Sequence, residues 1–375
     1  MSAALSTVTV IGGGVVGCTI AYRLAVRGVN VTLVEREAVG AGATGASGGH
    51  VMVWPEDDND VRVDLDAESC RLFRRFLPDI KERSGIDPHD QELTFFFPAI
   101  DEKEAVHLRG LSDRVAAAGV TVEWIDAATA LELEPRLSPD MLGGVLNSEC
   151  VQLGGYQFVE ALTKAAVRSG AQVLTDEAVG LWRKGDHVTG VALRKGIDIS
   201  CDTVVLAMGP WTGPLASEWI EALVPVNPYS LQRLRLKGLD QPLATSVHWR
   251  GINMTSRRDG LIHAGSIYDP AGFDAVPGEE ARATILENVS VALPGLRYEV
   301  VEDRVATASQ TPDEIPLVGP VEALEGVYLA VPADGGFTMS AVMAEALTLL
   351  LTEGREHPLL APMLPERAMP QPVSE

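Results

Sequence analysis

The chain has 375 residues, 46% of them hydrophobic and 22% charged, with 52 acidic against 30 basic side chains and a formal net charge of −22. That length suffices for one large core or two domains, and the composition is that of a globular protein. The acidic excess repels phosphate backbones and anionic lipid, which argues against nucleic acid or a membrane surface as partner.

Thr7 to Ile11 is a β-branched run that ends in glycines, and it reads as a buried strand. Val15 to Val26 follows with helical character and stops at Gly28, and Val31 to Glu35 is a second strand. Between the first strand and the helix lies Gly12-Gly13-Gly14-Val15-Val16-Gly17, a G-x-G-x-x-G. In such a unit Gly12 permits the tight turn, Gly14 lets backbone approach a pyrophosphate, and Gly17 lets helix and strand pack closely. The amides of Val15 and Val16 open the helix, whose positive end faces the phosphates. Glu35 closes the second strand eighteen residues after Gly17, where a carboxylate accepts ribose hydroxyls. Strand, turn, helix and acid together predict a dinucleotide site.

Arg36 follows, and then the small-residue loop from Gly40 to His50, containing Ala46, Ser47, Gly48 and Gly49. A plain nicotinamide site has no need of this loop. Its amides and hydroxyls suit a second phosphate or a flavin edge, which favours FAD over NAD.

Further along, residues 61–84 and a charged stretch ending at Ala118 read as helices, with strands at Thr94 to Ile100 and Val120 to Ile125. Phe158 to Ser169 reads as an amphipathic helix, and Gln172 to Thr175, Val188 to Leu193 and Asp198 to Ala207 as strands. Residues 224–310 alternate short strands with turns, including a hairpin signal at Arg257 to Gly260 and one helix near 278–293. Val327 to Val331 is a strand and Met339 to Leu351 a helix, and the proline-rich last fifteen residues are expected to fray. The first apolar run, Val8 to Ala25, is interrupted by glycines, and no other run is long and apolar enough for a membrane span, so a cytoplasmic protein is expected. The four cysteines lack metal-like spacing and read as reduced, mostly buried thiols, and no metal site is predicted.

The glycine turn, the Gly45-Ala46-Ser47-Gly48 loop and Thr203-Val204-Val205-Leu206-Ala207-Met208-Gly209-Pro210-Trp211 resemble the D-amino acid oxidase superfamily of FAD-dependent oxidoreductases. Thr311 to Pro320 and Gly335-Gly336-Phe337-Thr338-Met339 are similar to its C-terminal motifs. The resemblance implies an α/β fold: a Rossmann-type FAD-binding domain (1–85, 150–222 and 311–365) and a discontinuous α+β substrate domain on a mixed sheet (86–149 and 223–310). Residues 366–375 are left as a flexible tail. It also implies that Ala178 and Val179 meet the adenine and that Ala207, Gly209 and Trp211 close over the dinucleotide. Gly335, Gly336, Phe337, Thr338 and Met339 would place amides at the flavin pyrimidine edge, where the positive end of the following helix stabilises anionic reduced flavin.

Three positions depart from the family pattern. Ala308 stands three residues before Thr311-Pro312-Asp313, where many members carry a substrate-carboxylate arginine. Ala306 stands where some members attach flavin through a cysteine, so non-covalent FAD is expected. Val331-Pro332 replaces a Gly-His pair. Arg233, Arg235, Arg250 and Arg304 are read as solvated or structural.

The implied activity is oxidation of a C–N bond of an amine or amino acid by hydride transfer to flavin, with oxygen or another acceptor taking the electrons. The alternatives are a 2-hydroxy acid or polyol dehydrogenase, or a non-catalytic FAD-binding partner protein. Candidate catalytic groups are His263, at the position of a family lysine thought of as oxygen-activating; His50, at the end of the flavin loop; and Tyr268, as a substrate hydrogen-bond partner or a packed core tyrosine. Oligomeric state is left open.

Overall fold

A computed structural model describes residues 7–54, 59–274 and 276–369. The strand Val8–Ile11 is buried along its whole length, as expected of a parallel strand covered on both faces. It sits inside a six-stranded sheet between Val31–Glu35 and Thr203–Leu206, both parallel to it. Gln172–Thr175 continues the sheet on one side, and Val327–Val331 and antiparallel Leu317–Pro320 on the other. The helices Val15–Val26, Asp60–Ser84, Gly155–Arg168 and Gly336–Glu353 pack into one core with this sheet. Gly336–Glu353 is buried on nearly every side, which is why its sequence lacks a polar face.

A second, nine-stranded sheet is mixed. Its longest strands, Asn227–Gly238 and Tyr298–Gln310, pair antiparallel, while Ser246–Trp249 runs parallel to Gln91–Ala99. The loop strand His50–Val51 and the end of Gly143–Gln152 also join this sheet, so the nucleotide segments contribute to it directly. Ala178–Lys184, His187–Leu193 and Ile199–Ser200 form a separate three-stranded sheet.

Several expected elements are redrawn. The run from Asp198 to Ala207 is two strands in different sheets, because the chain turns at Cys201 and Asp202 to leave the small sheet for the parallel one. The strands of the 224–310 region are longer than expected. The last helix starts at Gly336, three residues before Met339. Gly143–Gln152, Ala178–Lys184 and the helices Ala127–Leu133 and Thr212–Ile220 were not foreseen as elements. The expected frayed tail is packed as far as residue 369. Met363 is fully buried, and Arg367 pairs with Asp313 at 2.8 Å and donates to the Ile315 carbonyl at 2.7 Å. Residues 370–375 of that expected tail lie outside the described residues. No helix among the described residues is long and apolar enough to cross a membrane.

Candidate active site

The glycine turn leaves no room for a side chain at Gly12 or Gly13. Gly12 has φ +110°, and a β carbon there would overlap the Ala207 backbone. One on Gly13 would lie 2.9 Å from the Glu35 side chain. Glu35 in turn accepts the Gly13 amide at 2.7 Å and the Glu37 amide at 2.9 Å, which locks the acid beside the turn. Thr44 Oγ1 accepts the Val15 amide at 3.0 Å and ties the small-residue loop to the start of the helix.

From this turn a single cavity of about 940 Å³ runs to the face of the mixed sheet. That is the upper end of the range for ligand sites. Gly12, Gly14, Val15, Val16, Glu35, Arg36, Ser47, Gly48, His50, Ala178, Ala207, Gly209, Trp211 and Gly335 to Thr338 all line it. Five expected contacts do not. Gly17 is a packing residue under the turn, and Met339 is fully buried in the helix core. Ala46 and Gly49 belong to the loop but not to the cavity wall: the Ala46 carbonyl accepts from Arg233, and Gly49 backs onto the Leu153 backbone. Val179 points outward from its strand and is 43% exposed.

At one end Arg36 lies over the Trp211 ring at 4.2 Å, and Trp211 packs against Phe273 at 5.2 Å. At the other, the helix Gly336–Glu353 opens onto the cavity with Gly335 at its N-cap, φ +60°, and no side-chain cap. The first helix likewise starts from Gly14 without a side chain of its own to cap it. Two helix N-termini therefore face one cavity, the second without a side-chain cap and the first with its Val15 amide taken by Thr44, and the remaining amides of each are suited to negative charge. A flavin dinucleotide carries such charge on its diphosphate and, when reduced, at its pyrimidine edge, so these residues fit FAD. Arg62, which the sequence did not single out, supports the second terminus by donating to the Glu314 and Asp334 carbonyls at 3.2 and 3.3 Å.

The remainder of the cavity is a chamber under the mixed sheet. Tyr229, Leu231 and Arg233 alternate inward along Asn227–Gly238. On Leu261–Asp269, His263 and Tyr268 both face the chamber although they are an odd number of residues apart. A register shift opposite Gln232 and Arg233 changes the parity between them. Tyr268 is not a core residue: it is 56% exposed, stacks on Tyr229 at 5.5 Å and donates to Asp334 at 3.2 Å. His50 stands edge-on to Phe95 at 5.0 Å and to His263 at 6.4 Å. Both imidazoles lean on Gly48, where a β carbon would meet His50 at 2.8 Å and His263 at 3.5 Å. Trp54, Phe97 and His248 extend the aromatic wall.

Burial, with the positive charge of Arg257 and Arg233 nearby, pushes His50 down to about 3, and burial with Arg233 and Arg257 holds His263 well below the usual imidazole range. Both rings are therefore neutral at physiological pH. A neutral His263 brings no positive charge to that position. Arg233, read from sequence as solvated or structural, is buried in the chamber wall. Its period-two spacing from Tyr229 was the available signal. Ala308 lines the chamber as well and brings no charge.

A dinucleotide turn, a second helix N-terminus and a small aromatic chamber in one cavity define a flavin-dependent oxidoreductase site. The model of the FAD dependent oxidoreductase family matches residues 7–350, and the chain belongs to that family. It is 29% identical over 369 residues to a glycine oxidase of Pseudomonas aeruginosa, covering 95% of this chain and 96% of that one. Among solved structures, glycine oxidase from Geobacillus kaustophilus superposes with a TM-score of 0.87 at 24% identity, covering 95% of this chain and 97% of that one. Iminodiacetate oxidase from Chelativorans superposes with a TM-score of 0.86 at 21% identity, covering 96% and 98%. The cofactor is FAD and the chain is an enzyme of this class.

Proposed function

We propose that the protein oxidises the C–N bond of a small amine or amino acid with non-covalently held FAD. Bound FAD supplies the hydride acceptor, and the imine product is hydrolysed by water. The observation that carries this reading is the continuity of the cavity: the nucleotide turn, the Gly335–Thr338 helix start and the histidine-lined chamber share one space. The chamber's neutral imidazoles and tyrosines provide hydrogen bonds and apolar contact, which suits orientation of a substrate more than proton transfer by a charged residue. His50, His263 and the ring pair Tyr229–Tyr268 would hold the substrate carbon against the cofactor plane, and Trp54, Phe95 and Phe97 would keep water out. The flavin contacts follow the cavity wall: Gly12 to Val16 and Glu35 for the ADP half, Ala178 and Trp211 near the adenine, and Ser47, Gly48 and Gly335 to Thr338 for the isoalloxazine. The amine preference draws on the glycine oxidase relatives.

Acid precipitation of the purified yellow protein should leave the colour in the supernatant. Anaerobic addition of glycine, sarcosine, D-alanine and D-proline should bleach the flavin, whereas lactate and glycerol should not. Bleaching by the hydroxy compounds alone would transfer the protein to the alcohol-oxidising alternative. Bleaching by none of them, with sluggish reduction by dithionite, would mark a non-catalytic flavin binder.

A further inference from the structure

Of the arginines Arg233, Arg235, Arg250, Arg257 and Arg304 in and beside the mixed sheet, four have evident partners. Arg235 pairs with Asp259 and with Glu302. Arg304 pairs with Glu302, and exposed Arg250 reaches Glu104. Arg257 donates to the Gly48 carbonyl at 3.0 Å and lies behind the loop rather than on the cavity wall. Arg233 differs from all of these. It is 5% exposed, lines the chamber, and satisfies one of its five N–H donors, with the Ala46 carbonyl as acceptor. Its Nε is buried without a partner, and among the described residues no carboxylate pairs with it.

A guanidinium keeps its charge on burial, because even a lowered affinity for its proton leaves it cationic at neutral pH. Burial pushes Arg233 down to about 10, against the opposing influence of Tyr268, Asp334 and Tyr229. An isolated buried charge is costly unless something of opposite sign completes it. The neighbouring imidazoles are neutral, and the carbonyl of Ala46 supplies only a dipole. Asp334 lines the same cavity but accepts from Tyr268 and forms no ion pair with Arg233. The chamber wall therefore carries a positive group with no carboxylate paired to it among the described residues.

We propose that Arg233 anchors the carboxylate of the substrate, so that the chain selects amines that carry an acid group and holds them from the strand Asn227–Gly238. This rests on the amine-oxidising reading above and adds the substrate class and the residue that selects it. The planar fork matches a carboxylate and leaves the C–N bond to lie toward the loop carrying Gly48 and the rings of His50 and His263. The uncharged Ala308 on the adjoining strand, in register with Tyr229, leaves room beside the anchor for a substituent on the amine.

The test uses the flavin-loaded enzyme and two probes of equal size, acetate and its neutral amide, acetamide, with binding read by calorimetry and by the shift of the flavin absorption band. Arg233→Leu is expected to weaken acetate by about fifty-fold while leaving acetamide within about three-fold, the loss of a charge-assisted pair. Arg233→Lys, which keeps the charge and is safer for folding, is expected to weaken acetate by about ten-fold because a point charge replaces the fork. The unsubstituted flavin spectrum should persist in the lysine variant. Acetate binding unchanged in a folded, flavin-loaded variant overturns the proposal. So does a parallel loss of acetate and acetamide, or a flavin band altered before any probe is added, since these assign Arg233 to the loop or the cofactor. Turnover separates this proposal from the functional reading: if no amine reduces the wild-type flavin but acetate still binds through Arg233, the anchor stands and the amine assignment falls.

Discussion

The α carbon of Gly17 faces the carbonyl of Gly12 so closely that a β carbon there would overlap its oxygen. The nucleotide helix can therefore approach the first strand only with glycine at this place. Gly17→Ala is expected to push the helix off the strand and cost at least about 2 kcal/mol, as overpacking of a tight core does. Urea unfolding and the ratio of flavin absorbance to protein absorbance should fall together. Full flavin content in a variant of unchanged stability would show that the turn tolerates the methyl group.

Glu35 performs a structural task before any ligand arrives, since its two carboxylate oxygens accept the amides of Gly13 and Glu37. Glu35→Ala should loosen the turn as well as remove a ribose acceptor, and flavin affinity is expected to fall by about ten- to a hundred-fold, the range for losing a charge-assisted bond. Glu35→Gln keeps one acceptor oxygen and should fall between. Equilibrium dialysis of apoprotein against FAD gives the numbers, and equal affinity in all three proteins would remove Glu35 from the site.

The buried imidazoles impose a pH dependence on stability. In the folded protein His50 is pushed down to about 3 and His263 lies well below the usual range, whereas both take up protons near pH 6.5 when unfolded. The unfolded chain thus binds more protons between about pH 3 and 6.5, so stability is full above 6.5 and lost as the pH falls through that window. Each ring contributes up to about 1.4 kcal/mol per pH unit there. Melting temperature measured from pH 7.5 to 5 should decline less steeply in His263→Asn than in the wild type. Parallel curves would mean that His263 is protonated in the fold.

Glu345 is 8% exposed on the last helix and receives Arg23 at 2.8 Å and Arg27 at 3.0 Å from the nucleotide helix. These pairs hold its carboxyl below the ordinary range despite burial. Glu345→Ala leaves two guanidiniums partly buried without their acceptor and is expected to cost about 3 kcal/mol, the lower end for breaking a buried pair. Chemical denaturation should show this cost, while the chamber ligands acetate and acetamide bind as before to protein that remains folded. A change in their affinity at full stability would instead couple the two helices to the chamber.

The Rossmann-type half was readable because its signals are local. Val8, Val10 and Ile11 declare a covered strand, Gly12 to Gly17 the turn, and Glu35 the end of the next strand, all within about thirty residues. The chamber was readable only in part. Alternation from His263 would send Tyr268 to the opposite face, and the register shift beside Arg233 reverses that. Arg233 looked like one more basic residue on a strand because nothing in its sequence neighbours reveals that carboxylates pair with Arg235 and Arg304 and, among the described residues, none with it.

The amino-acid sequence by itself determined the parallel sheet, the glycine turn and the preference for a flavin dinucleotide, since these depend on residue types a few positions apart. Tertiary structure decided which charges are buried, which histidines are neutral and which strands face one chamber. Desolvation and field depend on what the folded chain brings together across hundreds of residues, as His50, Arg233 and Gly335 show, and no local pattern carries that information.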